Sequence, residues 1–127
     1  MKTIQQLEKV SHSDKMYVAA LFEGEGYAGI CSSGKGRMTR PVVNIGMTDK
    51  EPIIFVQKLF PGCICREKLV KSKKIILRYV ASHQKALNFD NKILPFCKSK
   101  RKKNQLKTII DYYKTRRLVN ERYWKKD

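Results

Sequence analysis

The sequence predicts an α+β domain built from a repeated helix–strand–strand unit, and three patterns in its 127 residues point there. An apolar segment, Tyr17 to Phe22, stops at Glu23-Gly24-Glu25-Gly26. Two pairs of segments then alternate apolar and polar residues, the period of a strand. Between and after those pairs, apolar residues recur three or four apart, the period of a helix.

Ser13 is placed to cap a first helix starting at Asp14, whose carboxylate suits the first turn. Met16, Val18, Ala19, Ala20, Leu21 and Phe22 make it apolar around most of its circumference, so burial on nearly every side is expected. Ala20 and Gly24, four apart, leave a stripe almost bare of side chains, along which a second helix can approach closely. A second copy of the chain is expected to supply that helix. Tyr27 to Ser33 and Arg37 to Met47 read as strands around the turn Ser33-Gly34-Lys35-Gly36. In the second, Pro41, Val43, Ile45 and Met47 alternate with Arg40, Val42, Asn44 and Gly46, giving one apolar and one mixed face. Thr48 and Glu51 then form a capping box for a helix carrying Ile53, Val56, Leu59 and Phe60, ended by Pro61-Gly62. A second strand pair runs from Cys63 to Leu69 and from Lys74 to Ser82. Ser82 caps a helix from Gln84 to Leu94, and a last helix spans roughly Lys102 to Arg117 with Leu106, Ile109, Ile110 and Tyr113 on one face.

One domain is expected from this length, and 42% hydrophobic residues suffice for its core. Charge restricts the function further. Lys and Arg number 28 against 11 Asp and Glu, a formal net charge of +17. Such self-repulsion is relieved by a polyanion, so nucleic acid is the expected partner. Residues Lys98 to Asp127 hold 12 Lys/Arg and 3 Asp/Glu, a local excess of 12 − 3 = +9. No amphipathic anchor helix supports a membrane surface instead, and no apolar run approaches a membrane span. Met1 to Val10 lacks the apolar stretch of a signal peptide, so an intracellular location, bacterial cytoplasm or organelle, is expected. Cys31, Cys63, Cys65 and Cys97 do not match zinc spacing, and His12 and His83 are isolated, so no metal is assigned to cysteine or histidine.

The stretch Val18 to Gly26, VAALFEGEG, resembles position by position the nine-residue signature of the single-motif LAGLIDADG homing endonucleases. "GMTDKEPIIFVQKLFPG" resembles the family's segment leading into the middle helix, and "ILPFCKSKRKKNQL" its Pro-Phe segment before a Lys-rich helix. The resemblance implies an αββαββα fold over residues 14–117, between an N-terminal arm (1–13) and a basic C-terminal tail (118–127). It implies a curved antiparallel sheet that binds DNA, with the helices on its other face. It also implies a homodimer whose signature helices pack together through Tyr17, Ala20, Glu23 and Gly24. The expected activity is a metal-dependent double-strand break at a long, roughly palindromic target.

On that resemblance Glu25, with Gly24 beside it, is the metal-binding position at the helix tip, and Glu23 helps organise the helix end. Carboxylates suit Mg²⁺ or Mn²⁺, and a metal so held activates water and stabilises the leaving oxygen. Ca²⁺ is expected to bind without supporting cleavage. Lys100 aligns with the family's active-site lysine, with Lys98 and Lys102 as neighbours in register. Thr48 falls near the place of a polar residue, commonly Gln, beside the metal-bound water. Alternation from Glu25 assigns Tyr27, Gly29, Cys31 and Ser33 to the DNA face, with Lys35, Arg37, Arg40 and Asn44, and from the second pair Arg66, Lys68, Lys74 and Arg78. Two rival readings stand beside this one: a cleavage-inactive DNA- or RNA-binding protein on the same fold, such as a maturase or regulator, and an unrelated basic RNA-binding protein.

Overall fold

The computed structural model describes residues 10–33, 38–69, 71 and 74–124, with the backbone alone at residues 33, 38 and 116–124. Helix α1 spans His12–Glu25, and strands β1 and β2 span Gly26–Ser33 and Met38–Met47. Helix α2 follows at Lys50–Leu59, then β3 at Cys63–Lys68 and β4 at Ile75–Ser82. Helix α3 is Gln84–Ile93, a short 3-10 turn covers Leu94–Phe96, and α4 is Lys100–Trp124. The element order is the one expected, and the differences lie at the helix ends. The cap of α1 is Ser11, whose hydroxyl accepts the Asp14 N–H at 3.1 Å, so the helix starts before Ser13. Asp49 rather than Thr48 occupies the cap of α2, without a side-chain bond. At α3 the cap is His83 instead of Ser82, and its φ of 57° is the one positive value at a non-glycine among the described residues. Helix α4 begins two residues earlier and reaches Trp124, through much of the segment expected as a tail.

All four strands form one antiparallel sheet in the order β1-β2-β4-β3. Partners across a ladder share a face, so the faces can be read from the register. Ala28, Val43 and Ala81 lie on one side, as do Ile45 and Tyr79. Those residues are buried in the core, against Val18 and Phe22 of α1, Ile53 and Val56 of α2, Ala86, Phe89 and Ile93 of α3, and Leu106 and Ile109 of α4. The fold is therefore two layers, helices on one face of the sheet. Phe89 is at its centre, with ring centroids 5.8 Å from Phe22, 5.2 Å from Phe60 and 6.0 Å from Tyr79. Each such buried aromatic contributes on the order of 2–3 kcal/mol by removing its surface from water.

Helix α1 is not covered all round. Val18, Ala19 and Phe22 are buried, whereas Met16, Tyr17, Ala20 and Gly24 face outward. No helix of the described residues is long and apolar enough to cross a membrane.

Candidate active site and nucleic-acid interface

Three elements meet where α1 ends. Glu25 is the last residue of that helix, and Gly26 turns the chain directly into β1 in an extended conformation while donating its N–H to the Phe22 carbonyl. The approach is too close for a side chain: a β-carbon at position 26 would lie 2.8 Å from that carbonyl oxygen. Gly26 pairs with Ile45 in β2, so the end of β2, followed by the exposed Thr48, lies beside this junction. The start of α4 closes the group. Glu23 accepts the backbone N–H groups of Lys98 and Ser99 at 3.1 and 2.5 Å. The Lys102 ammonium donates to the Gly26 carbonyl, and Gln105 Oε1 accepts the Ala28 N–H at 3.1 Å.

Against this background Glu25 stands apart. It is exposed, and its carboxylate has no hydrogen bond or ion pair among the described residues. A negative charge at a helix C-terminus opposes the helix dipole, and α1 has no basic residue in its last turn to offset it. Lys98 and Lys100 are exposed nearby in sequence, whereas Lys102 is buried, with its ammonium 5.7 Å from the centre of the Phe22 ring. Burial first, and Arg101 second, lower the Lys102 pKa below that of a free lysine. Cys97, just before this turn, is pushed up to about 11 by burial and then by the Glu23 charge.

No group of three or more His, Cys, Asp or Glu side chains among the described residues is gathered so as to hold a metal ion. One chain offers a divalent cation the Glu25 carboxylate and the carbonyl oxygens of the helix tip. These are hard oxygen donors of the kind Mg²⁺ takes, although the Phe22 and Gly26 carbonyls already accept from the Gly26 N–H and from Lys102.

The outer face of the sheet carries Tyr27, Gly29 and Cys31 from β1 opposite Asn44, Val42 and Arg40 of β2. Arg78 of β4 lies beside Gly46 and reaches two neighbours, donating to Asn44 Oδ1 at 3.1 Å and to Glu67 Oε2 at 3.2 Å. Lys74 precedes β4 in the same alternation as Arg78. Arg66 and Lys68 do not join them: they pair with Leu77 and Ile75, so the register places them on the helix side of the sheet, exposed where its edge is uncovered. Lys35 and Arg37 lie outside the described residues, as does the Ser33 side chain. Of the expected dimer residues, Tyr17, Ala20 and Gly24 are exposed, and Gly24 has open space around it. Glu23 is instead engaged with α4 of its own chain. Sequence reasoning passed over Glu67, Gln105 and the buried state of Lys102. Glu67 was visible as the one acid among the basic residues from Arg66 to Arg78.

No protein-family model matches the chain, and no curated protein matches it by sequence. Solved structures do. The homing endonuclease I-CvuI in complex with its target superposes with a TM-score of 0.57 at 16% identity, over 75% of this chain and 62% of that one. The group I intron-encoded homing endonuclease I-CeuI, complexed with DNA, gives 0.56 at 15% identity, covering 92% and 62%. The LAGLIDADG homing endonuclease I-LtrWI, bound to target DNA, gives 0.54 at 25% identity, covering 84% and 39%. The chain thus spans less than two thirds of the length of each of these proteins. It has their fold.

Proposed function

We propose that this chain, which has the fold of the LAGLIDADG homing endonucleases, is a site-specific DNA endonuclease acting as a homodimer. The observation that carries the reading is Glu25: an exposed carboxylate with no partner among the described residues, held at a helix tip where the dipole disfavours it. Placements that cost stability in the free chain are typical of groups that await a ligand. Two copies joined along α1 bring two such carboxylates together, one for each strand of a duplex.

Glu25 holds the divalent cation in this reading, with the Gly24 carbonyl beside it. The cation, when bound, makes water nucleophilic and offsets charge on the phosphate. Lys100, exposed at the first turn of α4, faces the scissile phosphate and balances its developing charge. The Thr48 hydroxyl, at the end of β2, orients water through hydrogen bonds. The outer sheet face reads the groove: Arg40, Asn44 and Arg78 are suited to base edges, and Lys74 to phosphate.

The test is a pooled library of DNA targets, incubated with Mg²⁺ and either wild type or Glu25→Gln, followed by sequencing of the cut ends. Wild type is expected to cut a narrow set of near-palindromic sites, and Glu25→Gln to bind them, in Ca²⁺ also, with cleavage reduced at least about a hundredfold. Selective binding by both with cutting by neither would replace this reading with that of a DNA- or RNA-binding protein on the same fold.

A further inference from the structure

Two contacts cross between the end of α1 and the start of α4, in opposite senses. From α1, the Glu23 carboxylate accepts the N–H groups of Lys98 and Ser99, ahead of the first turn of α4. From α4, the Lys102 ammonium returns to the Gly26 carbonyl, at the first residue of β1. Glu25 lies between the two anchor points, one residue from Gly26 and two from Glu23. Each contact satisfies groups that a helix end leaves orphaned, free N–H groups at the α4 start and a carbonyl at the α1–β1 junction. Each also sets charge where the dipole rewards it, the carboxylate near an N-terminus and the ammonium near a C-terminus.

Stability alone is a poor account of Lys102. Only 7% of this residue is exposed, and a buried ammonium costs several kcal/mol of hydration that one carbonyl and the Phe22 ring repay only in part. An apolar residue would fill the same space more cheaply. What the lysine provides is direction: its stem crosses Phe22 and its head pins one carbonyl, which fixes the backbone immediately after Glu25.

We infer that Glu23 and Lys102 form a reciprocal clamp that positions the Glu25 carboxylate relative to the start of α4, so that both are positioning residues for cleavage. The inference rests on the nuclease reading above. It divides the labour among the lysines: Lys102 is committed to the Gly26 carbonyl, and the exposed Lys100 is free for phosphate. A displaced carboxylate slows chemistry steeply, since about 1 Å of misplacement costs on the order of a hundredfold, while the sheet face that holds DNA is untouched.

The experiment compares wild type, Lys102→Met, Lys102→Arg, Glu23→Gln and the Lys102→Met/Glu23→Gln pair on the preferred site of the wild-type protein. Single-turnover cleavage is measured in Mg²⁺, DNA affinity in Ca²⁺, and folding by thermal melts at the assay temperature. Lys102→Met and Glu23→Gln are expected to cut on the order of tenfold to a hundredfold more slowly, with affinity changed less than about threefold. Lys102→Arg should recover part of the rate, and the double variant should fall little below the slower single one, because both contacts serve one junction. Folded single variants that cut at the wild-type rate, or that lose affinity and rate in proportion, would overturn the clamp and leave the nuclease reading standing. A wild-type protein that cuts nothing would remove that reading, and the clamp's role with it.

Discussion

Asp90 is the residue least at ease in this fold. It is fully buried on α3, and neither carboxylate oxygen has a hydrogen-bond partner among the described residues. Burial pushes its pKa from 3.8 up to about 8, so the folded protein keeps at neutral pH a proton that the unfolded chain has released. The raised value sets the sign. Stability is full below pH 4, declines as the unfolded chain ionises, and has lost this whole contribution once pH passes about 8. The full swing is at most about 6 kcal/mol. Urea unfolding between pH 5 and pH 9 should therefore show wild type weakening with pH and Asp90→Asn holding nearly level. Parallel slopes in the two proteins would mean that Asp90 ionises normally. The helical spacing placed Asp90 next to Phe89 in a helix, but a charged residue in that pattern reads as surface. Its burial follows from where α3 meets the rest of the core, which no local pattern records.

At the scale of the strands, the ladder register separates residues that look alike in sequence. Arg66, Lys68 and Arg78 belong to one basic stretch, yet only Arg78 shares the outer face with Asn44. Its guanidinium is held between Asn44 and Glu67, where Gly46 leaves room: a β-carbon at position 46 would lie 3.1 Å from the guanidinium carbon. The Glu67 pair is exposed and adds little to stability; its effect is to hold a planar fork in one orientation. Arg78→Lys keeps the charge and loses the fork. On the proposed reading, in which the outer face enters a DNA groove, selection from a random duplex library in Ca²⁺ should then show discrimination weakened at one base pair per half-site, by about 1–3 kcal/mol, with non-specific affinity nearly unchanged. An unaltered motif would take Arg78 out of base recognition.

For the molecule as a whole, the feature that the single chain leaves uncovered is the bare side of α1. Met16 and Tyr17 are 54% and 46% exposed, more than apolar residues in a core helix should be, and Ala20 and Gly24 continue the strip. Gly24→Ala distinguishes a solvent face from a packing face. In a lone chain the change meets open space and favours the helix by about 1 kcal/mol. Between two helices packed at this stripe the added methyl forces them apart. Sedimentation of wild type is expected to give a dimer, and Gly24→Ala a weaker one with a monomer at least as stable; a monomeric wild type would end the dimer proposal.

Some of this was legible before any coordinates. Periodicities of two and 3.6, Pro61-Gly62 after α2, and the abrupt halt at Glu23 to Gly26 are local signals, written in neighbouring residues, and they sufficed for the element order and for the helix that ends in Glu25. Capping was less legible. Ser11, Asp49 and His83 hold positions expected of Ser13, Thr48 and Ser82, because several polar residues stand near each helix start and packing selects among them. Pairings across 75 or more residues, Glu23 with Ser99 and Gly26 with Lys102, had no counterpart in the linear pattern. The surface lysine and the buried one stand two residues apart in one basic run, Lys98 to Lys103. What separates Lys100 from Lys102 is the face of α4: Lys102 stands four residues before Leu106 and shares its buried side, whereas Lys100 lies off that side.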